Sequence, residues 1–145
     1  MLKPLVISEQ LLHERIDKCS YNLDRSKLSY ILHENMYHYN GIGLSANQIG
    51  MYVRAFAMIK DLEYNEVIVC FNPRIIKKYN ENVWCEEGCL SFPDDIINIQ
   101  RPNRIVVKYE DEDKKEHKIK LEGLASRVFQ HEFDHLEGVV FTERQ

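Results

Sequence analysis

No apolar stretch in these 145 residues approaches the ~20 that a membrane-spanning helix requires. The amino terminus, "MLKPLVISEQLLHERIDKC", lacks the long apolar segment and small-residue cleavage site of a secretory signal, so the chain reads as intracellular and cytoplasmic. Excess basic charge is missing too: 19 Lys and Arg stand against 23 Asp and Glu, a net charge of -4. That balance gives no field to draw nucleic acid or an anionic membrane, and neither is expected as a partner. Internal repeats, linkers and low-complexity segments are also absent. Length and a hydrophobic content of 44% suit one compact domain spanning residues 1–145. Such a core needs no disulfide staples, so Cys19, Cys70, Cys85 and Cys89 are expected as thiols or metal ligands.

Two helices and two hairpins can be read from the pattern. Asp24 or Ser26 can cap a helix carrying Leu28, Ile31, Leu32, Asn35, Met36 and Tyr39 at a period near 3.6, stopped at Gly41. "YVRAFAMI", "EVIVCFNP" and "RIIKKY" read as strands broken by "KDLEYN" and by Asn72-Pro73. "RIVVKYE" and "EHKIKLE" alternate apolar and polar residues around a charged turn, "DEDKK". A last helix runs through "EGLASRVFQHEFDHLEG" and is capped at Gly138. The class is α+β: antiparallel strands around a central metal-binding helix, with an N-terminal helix.

The metal reading rests on "HEFDH". At ~100° per residue, His131 and His135 lie within about 40° of each other, one turn apart, so both imidazoles reach one ion. Glu132 sits just off that line, where a carboxylate can touch a metal-bound water without ligating the metal. A third ligand six residues past His135 would fall on Phe141, which excludes one large class of zinc hydrolases. Downstream carboxylates are limited to Glu137, which the helix turns away, and Glu143, which is close in sequence. Upstream, "WCEEGCLSFP" offers two thiols; Gly88 before Cys89 lets backbone approach a metal or substrate, whereas Cys85 and Trp84 read as packed. Cys89, His131 and His135 leave one position open on a zinc or iron ion. His13, His33, His38 and His117 have no ligand-like spacing.

"GIGLSANQIG", residues 41–50, has the glycines of a phosphate cradle but lacks a Gly-Lys-Ser/Thr ending and precedes strands, so that reading fails. With "GIGLSANQ", "EGCLS" and "QHEFDHLEG" in this order, the sequence resembles the peptide deformylases over roughly residues 25 to 141. The resemblance implies removal of the formyl group from the initiator methionine of nascent chains, using one divalent ion: Fe²⁺ natively, with Zn²⁺, Ni²⁺ or Co²⁺ as substitutes. It implies Cys89, His131 and His135 as ligands and Glu132 as general acid/base. Gln48 and the Leu90 N–H would face the developing oxyanion, and Ile42, Gly43 and Gly88 would offer main-chain groups to the peptide. Leu124 and Val128 read equally as methionine pocket or core. Arg127 reads as a packed stem with its head in solvent, or else as touching substrate or narrowing the pocket.

Three departures stand out: Ser45 replaces the usual alanine, no basic residue follows Pro93 in "DDII", and the chain ends before the carboxy-terminal helix of many members. The last weakens an expectation of ribosome docking and suits a short bacterial or bacteriophage-encoded form, expected to be a monomer. A metallopeptidase and a noncatalytic metal protein are the rival readings. The first has no use for Gln48, and the second has none for Glu132.

Overall fold

The computed structural model describes residues 1–6, 9–19 and 22–144. Its helices are α1 (Glu9–Leu12), α2 (Arg25–His38) and α3 (Gly123–Leu136). The strands are β1 (Gly43–Ser45), β2 (Ala55–Asp61), β3 (Glu66–Lys78), β4 (Asn82–Cys89), β5 (Phe92–Pro102), β6 (Arg104–Glu110) and β7 (Glu116–Glu122). Single 3₁₀ turns occupy Ala46–Ile49 and Phe141–Arg144. Five strands form an antiparallel sheet in the order β1-β2-β3-β6-β7, while β4 and β5 make a separate antiparallel hairpin. No helix among the described residues is long and apolar enough to cross a membrane.

The period of two along the strands puts a helix on each face of the large sheet. Phe56, Met58 and Cys70 pack with Val128, Phe129 and Leu136 of α3. Their neighbours Ala55, Ala57 and Phe71 pack with Leu28, Ile31, Leu32 and Met36 of α2. Phe56 meets Phe129 edge to face at 5.0 Å. The central metal-motif helix, the N-terminal helix and the antiparallel strands are therefore as the sequence predicts.

Helix ends follow local chemistry. Asp24, and not Ser26, caps α2 by accepting the Lys27 N–H at 3.1 Å. Beyond the helix Asn40 takes the left-handed conformation (φ 55°), and the Gly41 N–H returns to the Met36 carbonyl at 3.0 Å. Gly138 (φ 76°) stops α3 as expected.

Three expectations need correction. Asn72-Pro73 does not end a strand: β3 continues to Lys78, and a register shift between Phe71 and Arg74 absorbs the pair as a bulge. Asn72 adopts φ 50° there, and its side-chain oxygen accepts the Cys19 N–H at 2.8 Å. A bulge tolerates a proline that has no N–H for the ladder. Trp84 and Cys85 are exposed instead of packed. The hairpin that carries them has little of its outer length covered, and only Glu87 and Cys89 of β4 are buried.

Candidate active site

The turn spacing of α3 and the inner end of β4 bring three ligand types together. One atom each from Cys89, His131 and His135 lies within 4.8 Å of the others, and all three residues are buried. Cys89 Sγ stands 3.4 Å from His135 Nε2. Sulfur and nitrogen ligands at about 2.3 and 2.0 Å from one tetrahedral ion would be separated by about 3.5 Å. The set therefore fits a divalent cation, with a soft thiolate and two imidazoles as donors.

Glu87 sets the orientation of His131. Its Oε1 lies 3.0 Å from His131 Nδ1, which leaves Nε2 for the ligand cluster. Arg101 donates to Glu87 through Nε at 2.5 Å and Nη2 at 3.0 Å, and to Asp134 through Nη1 at 2.9 Å. Burial alone would raise the Glu87 pKa, but hydrogen bonds from His131 and Arg101, with their charges, outweigh it and hold it at about 2. Burial likewise works against charge on His131, yet hydrogen bonds to Cys89 and Glu87 bring it up to about 10. A ligating imidazole must be neutral, so cation binding would displace that proton. His135 goes the other way, pushed well below its ordinary value by burial and then by the His131 and Arg101 charges.

Sequence reasoning missed Glu87, Arg101 and Asp134. The available signal was Glu87's position two residues before Cys89, which puts both on the same face of β4. Arg127 is corrected: its guanidinium does not reach solvent. It donates to Glu87 Oε2 and the Val83 carbonyl at 2.5 Å each, and to the Ile99 carbonyl at 3.0 Å.

Gln48 projects from the 3₁₀ turn after β1 toward the ligand set. Its Nε2 is 3.5 Å from Cys89 Sγ and donates to Ser91 Oγ at 3.1 Å. The amide's other end is pinned, because Gln48 Oε1 accepts the Ser45 N–H at 3.1 Å. The Ser45 hydroxyl is also 3.1 Å from Gln48 Oε1 and 2.6 Å from Asn47 Oδ1. Serine at this position thus takes part in holding the glutamine. Asn47 in turn donates to the His135 carbonyl at 2.9 Å, joining the loop to α3.

Glu132 is 4% exposed, and its Oε1 has no hydrogen-bond partner among the described residues. Burial raises its pKa to about 7, with the His131 charge opposing and the Glu87 charge assisting. That is the environment of a group that exchanges protons near neutrality. A Cβ built on Gly43 would lie 2.6 Å from Glu132 Oε2 and 2.9 Å from Val128 Cγ1, so the β1 backbone forms the wall against which the carboxylate rests.

Gly43, Gln48, Glu87, Cys89, Val128, His131 and Glu132 line one cavity of about 480 Å³, together with Ile42, Gly88, Leu90, Leu124 and Arg127. Leu124 is 44% exposed at the mouth, whereas Val128 is buried between cavity and core. The Ile42 carbonyl already accepts the Ile59 N–H at 2.8 Å. Among the other histidines, His13 reaches Glu143 and His117 reaches Asp111, both away from this cavity.

The model of the polypeptide deformylase family matches residues 1–145. A peptide deformylase of Karelsulcia muelleri (strain GWSS) is 42% identical, over 99% of this chain and 78% of its own. The crystal structure of peptide deformylase from Thermotoga maritima superposes with a TM-score of 0.90 at 39% identity, covering 99% of this chain and 97% of the other. That of a probable peptide deformylase from Synechococcus phage S-SSM7 gives 0.89 at 35% identity, with complete coverage of both chains.

Proposed function

The chain belongs to the peptide deformylase family, and we propose that it hydrolyses the formamide of N-terminal formyl-methionine on nascent polypeptides, releasing formate. The observation that carries this reading is the meeting of Cys89, His131 and His135 beside a buried carboxylate with an unpartnered oxygen, with Cys89, His131, Glu132 and a pinned glutamine amide lining one cavity.

Cys89, His131 and His135 would hold the divalent ion, Fe²⁺ natively, with Zn²⁺, Ni²⁺ or Co²⁺ as substitutes. Such an ion supplies Lewis acidity, lowering the pKa of bound water from 15.7 toward about 7. Glu132 takes one proton from the attacking water as its oxygen bonds to the formyl carbon. Gln48 Nε2 and the Leu90 N–H donate to the oxyanion that develops on the formyl oxygen, each such donor contributing about 3 kcal/mol. Glu132 then delivers its proton to the methionine nitrogen as the C–N bond breaks, leaving a free amine and formic acid, which gives up its remaining proton to become formate. Leu124 and Val128 receive the methionine side chain, while Gly43 and Gly88 run beside the peptide backbone. Arg127 borders the substrate as part of the cavity wall while its guanidinium holds Glu87 and two carbonyls.

Finer elements belong to the same proposal: residues 1–145 form a single catalytic domain, monomeric, working on nascent chains in a bacterial cytoplasm. The test is formate release from a formyl-Met peptide by protein loaded anaerobically with Fe²⁺, or with Ni²⁺. Absence of turnover in folded, metal-loaded protein refutes the assignment. Hydrolysis of unformylated peptides would favour a metallopeptidase instead.

A further inference from the structure

Arg144 stands outside the cavity that holds the reacting groups, in the 3₁₀ turn Phe141–Arg144. Its side chain is 44% exposed, yet the guanidinium forks onto buried Asp134. Nε donates to Asp134 Oδ2 at 3.1 Å and Nη2 to Oδ1 at 2.9 Å. The same Oδ2 accepts Arg101 Nη1 at 2.9 Å. Arg101 in turn grips both oxygens of Glu87, whose Oε1 stands 3.0 Å from His131 Nδ1. Charged groups thus run without a gap from a surface arginine to an imidazole of the ligand set.

Arg101 is shared between two buried carboxylates, Glu87 and Asp134. With Arg144 in place, Asp134 is neutralised from its outer side, and Arg101 keeps two donors, Nε and Nη2, on Glu87. Without Arg144, the remaining ion-pair partner of Asp134 among the described residues is Arg101, and the shared guanidinium is drawn toward it. Paired hydrogen bonds from a guanidinium fix direction as well as charge. Loosening them frees Glu87, and with it the imidazole whose Nε2 must face the ion. A second contact from the same turn acts on the same ring. Residues three apart eclipse in a 3₁₀ helix, so Phe141 and Arg144 project to one side. Phe141 is 1% exposed and packs in one apolar cluster with Cys89, and its ring centroid lies 5.6 Å from that of His131.

Resting on the reading of Cys89, His131 and His135 as the ligands of a deformylase metal, we infer that Arg144 is a positioning residue. Acting through Asp134, Arg101 and Glu87, it fixes the His131 imidazole, and so sets metal affinity and the chemical step while leaving peptide binding alone.

The test compares wild type, Arg144→Met and Arg144→Lys, each loaded with Co²⁺. In Arg144→Met, Co²⁺ affinity measured by chelator competition falls about tenfold, and the thiolate-to-cobalt absorption shifts. On formyl-Met-Ala-Ser, kcat drops about tenfold with KM within about twofold of wild type. Arg144→Lys recovers part of each loss, because a point charge replaces the fork. In an Asp134→Asn background the Met substitution adds less than about twofold, since the link it works through is already cut. Wild-type affinity, spectrum and kcat in folded Arg144→Met overturn the inference, as does full additivity with Asp134→Asn. A fall in kcat matched by loss of folded protein, with an unchanged cobalt spectrum, overturns it too. If Arg144→Met does not fold, Arg144→Lys carries the same test: unchanged affinity and spectrum there overturn the inference. A wild type that binds Co²⁺ without turnover refutes the deformylase reading and leaves the affinity and spectrum to decide on Arg144. One that binds no Co²⁺ overturns both.

Discussion

Gly43 gives the site its tightest constraint, because the space a methyl would occupy is already filled by Glu132 Oε2 and Val128 Cγ1. Gly43→Ala should therefore displace the carboxylate, lowering kcat about tenfold or more while metal content stays stoichiometric. Steady-state formate release alongside metal analysis checks it. Glu132→Gln should retain metal and fold yet lose at least about a hundredfold in turnover, since the amide cannot carry the proton; full activity in that variant would end the acid/base role. His131, Glu132 and His135 were legible because helix geometry alone fixes their relation. Glu87 was not, because its role comes from partners 14 and 44 residues away, Arg101 and His131.

The β4–β5 hairpin and α3 form separate elements held together by buried charge. Arg101 bridges Glu87 to Asp134, and Arg127 adds a second tie from α3 to Glu87 and to both strands. Arg127→Met removes a partner from a buried carboxylate and one donor each from the Val83 and Ile99 carbonyls. The expected cost is about 3–5 kcal/mol in denaturant unfolding, with Arg127→Lys intermediate because a point charge replaces a fork. Glu87 also predicts acid behaviour. Its folded pKa of about 2 lies below the usual 4.5, so its ionisation adds stability that is full above about pH 5. This is lost as pH falls through the folded value, about 3 kcal/mol in all. Denaturant midpoints measured between pH 6 and 3 should fall, and fall less in Glu87→Gln. At this scale the sequence exposed the strands with one covered face. It hid the β4–β5 hairpin, whose outer residues face solvent on both sides and show no alternation, and it mistook the Asn72-Pro73 bulge for a break.

Across the whole molecule, α3 contributes both imidazoles and part of the central core, so metal occupancy and global stability are coupled. Chelation should lower the melting temperature, and restoring free metal to 1,000 times its Kd should return about 4 kcal/mol. Uptake should also release protons, because the imidazole of His131 binds only when neutral; calorimetry in buffers of different ionisation enthalpy reads this directly. The placement of one helix on each face of the sheet was implicit in the alternation of Ala55 to Met58, but which helix takes which face depends on contacts far apart in sequence.

The hairpin also divides into two regimes of mutational tolerance. Its inner end, Glu87 and Cys89, is locked to α3 and to the metal ligands, whereas its rim at Glu86, Asp95 and Ile96 bears almost no folding free energy. Substitutions at the rim are therefore expected to cost the fold little, whereas those at the inner end disturb the fold and the metal site together. A saturation scan scored separately for abundance and for activity should show this as a sharp boundary between Glu86 and Glu87, two adjacent residues on opposite faces of one strand.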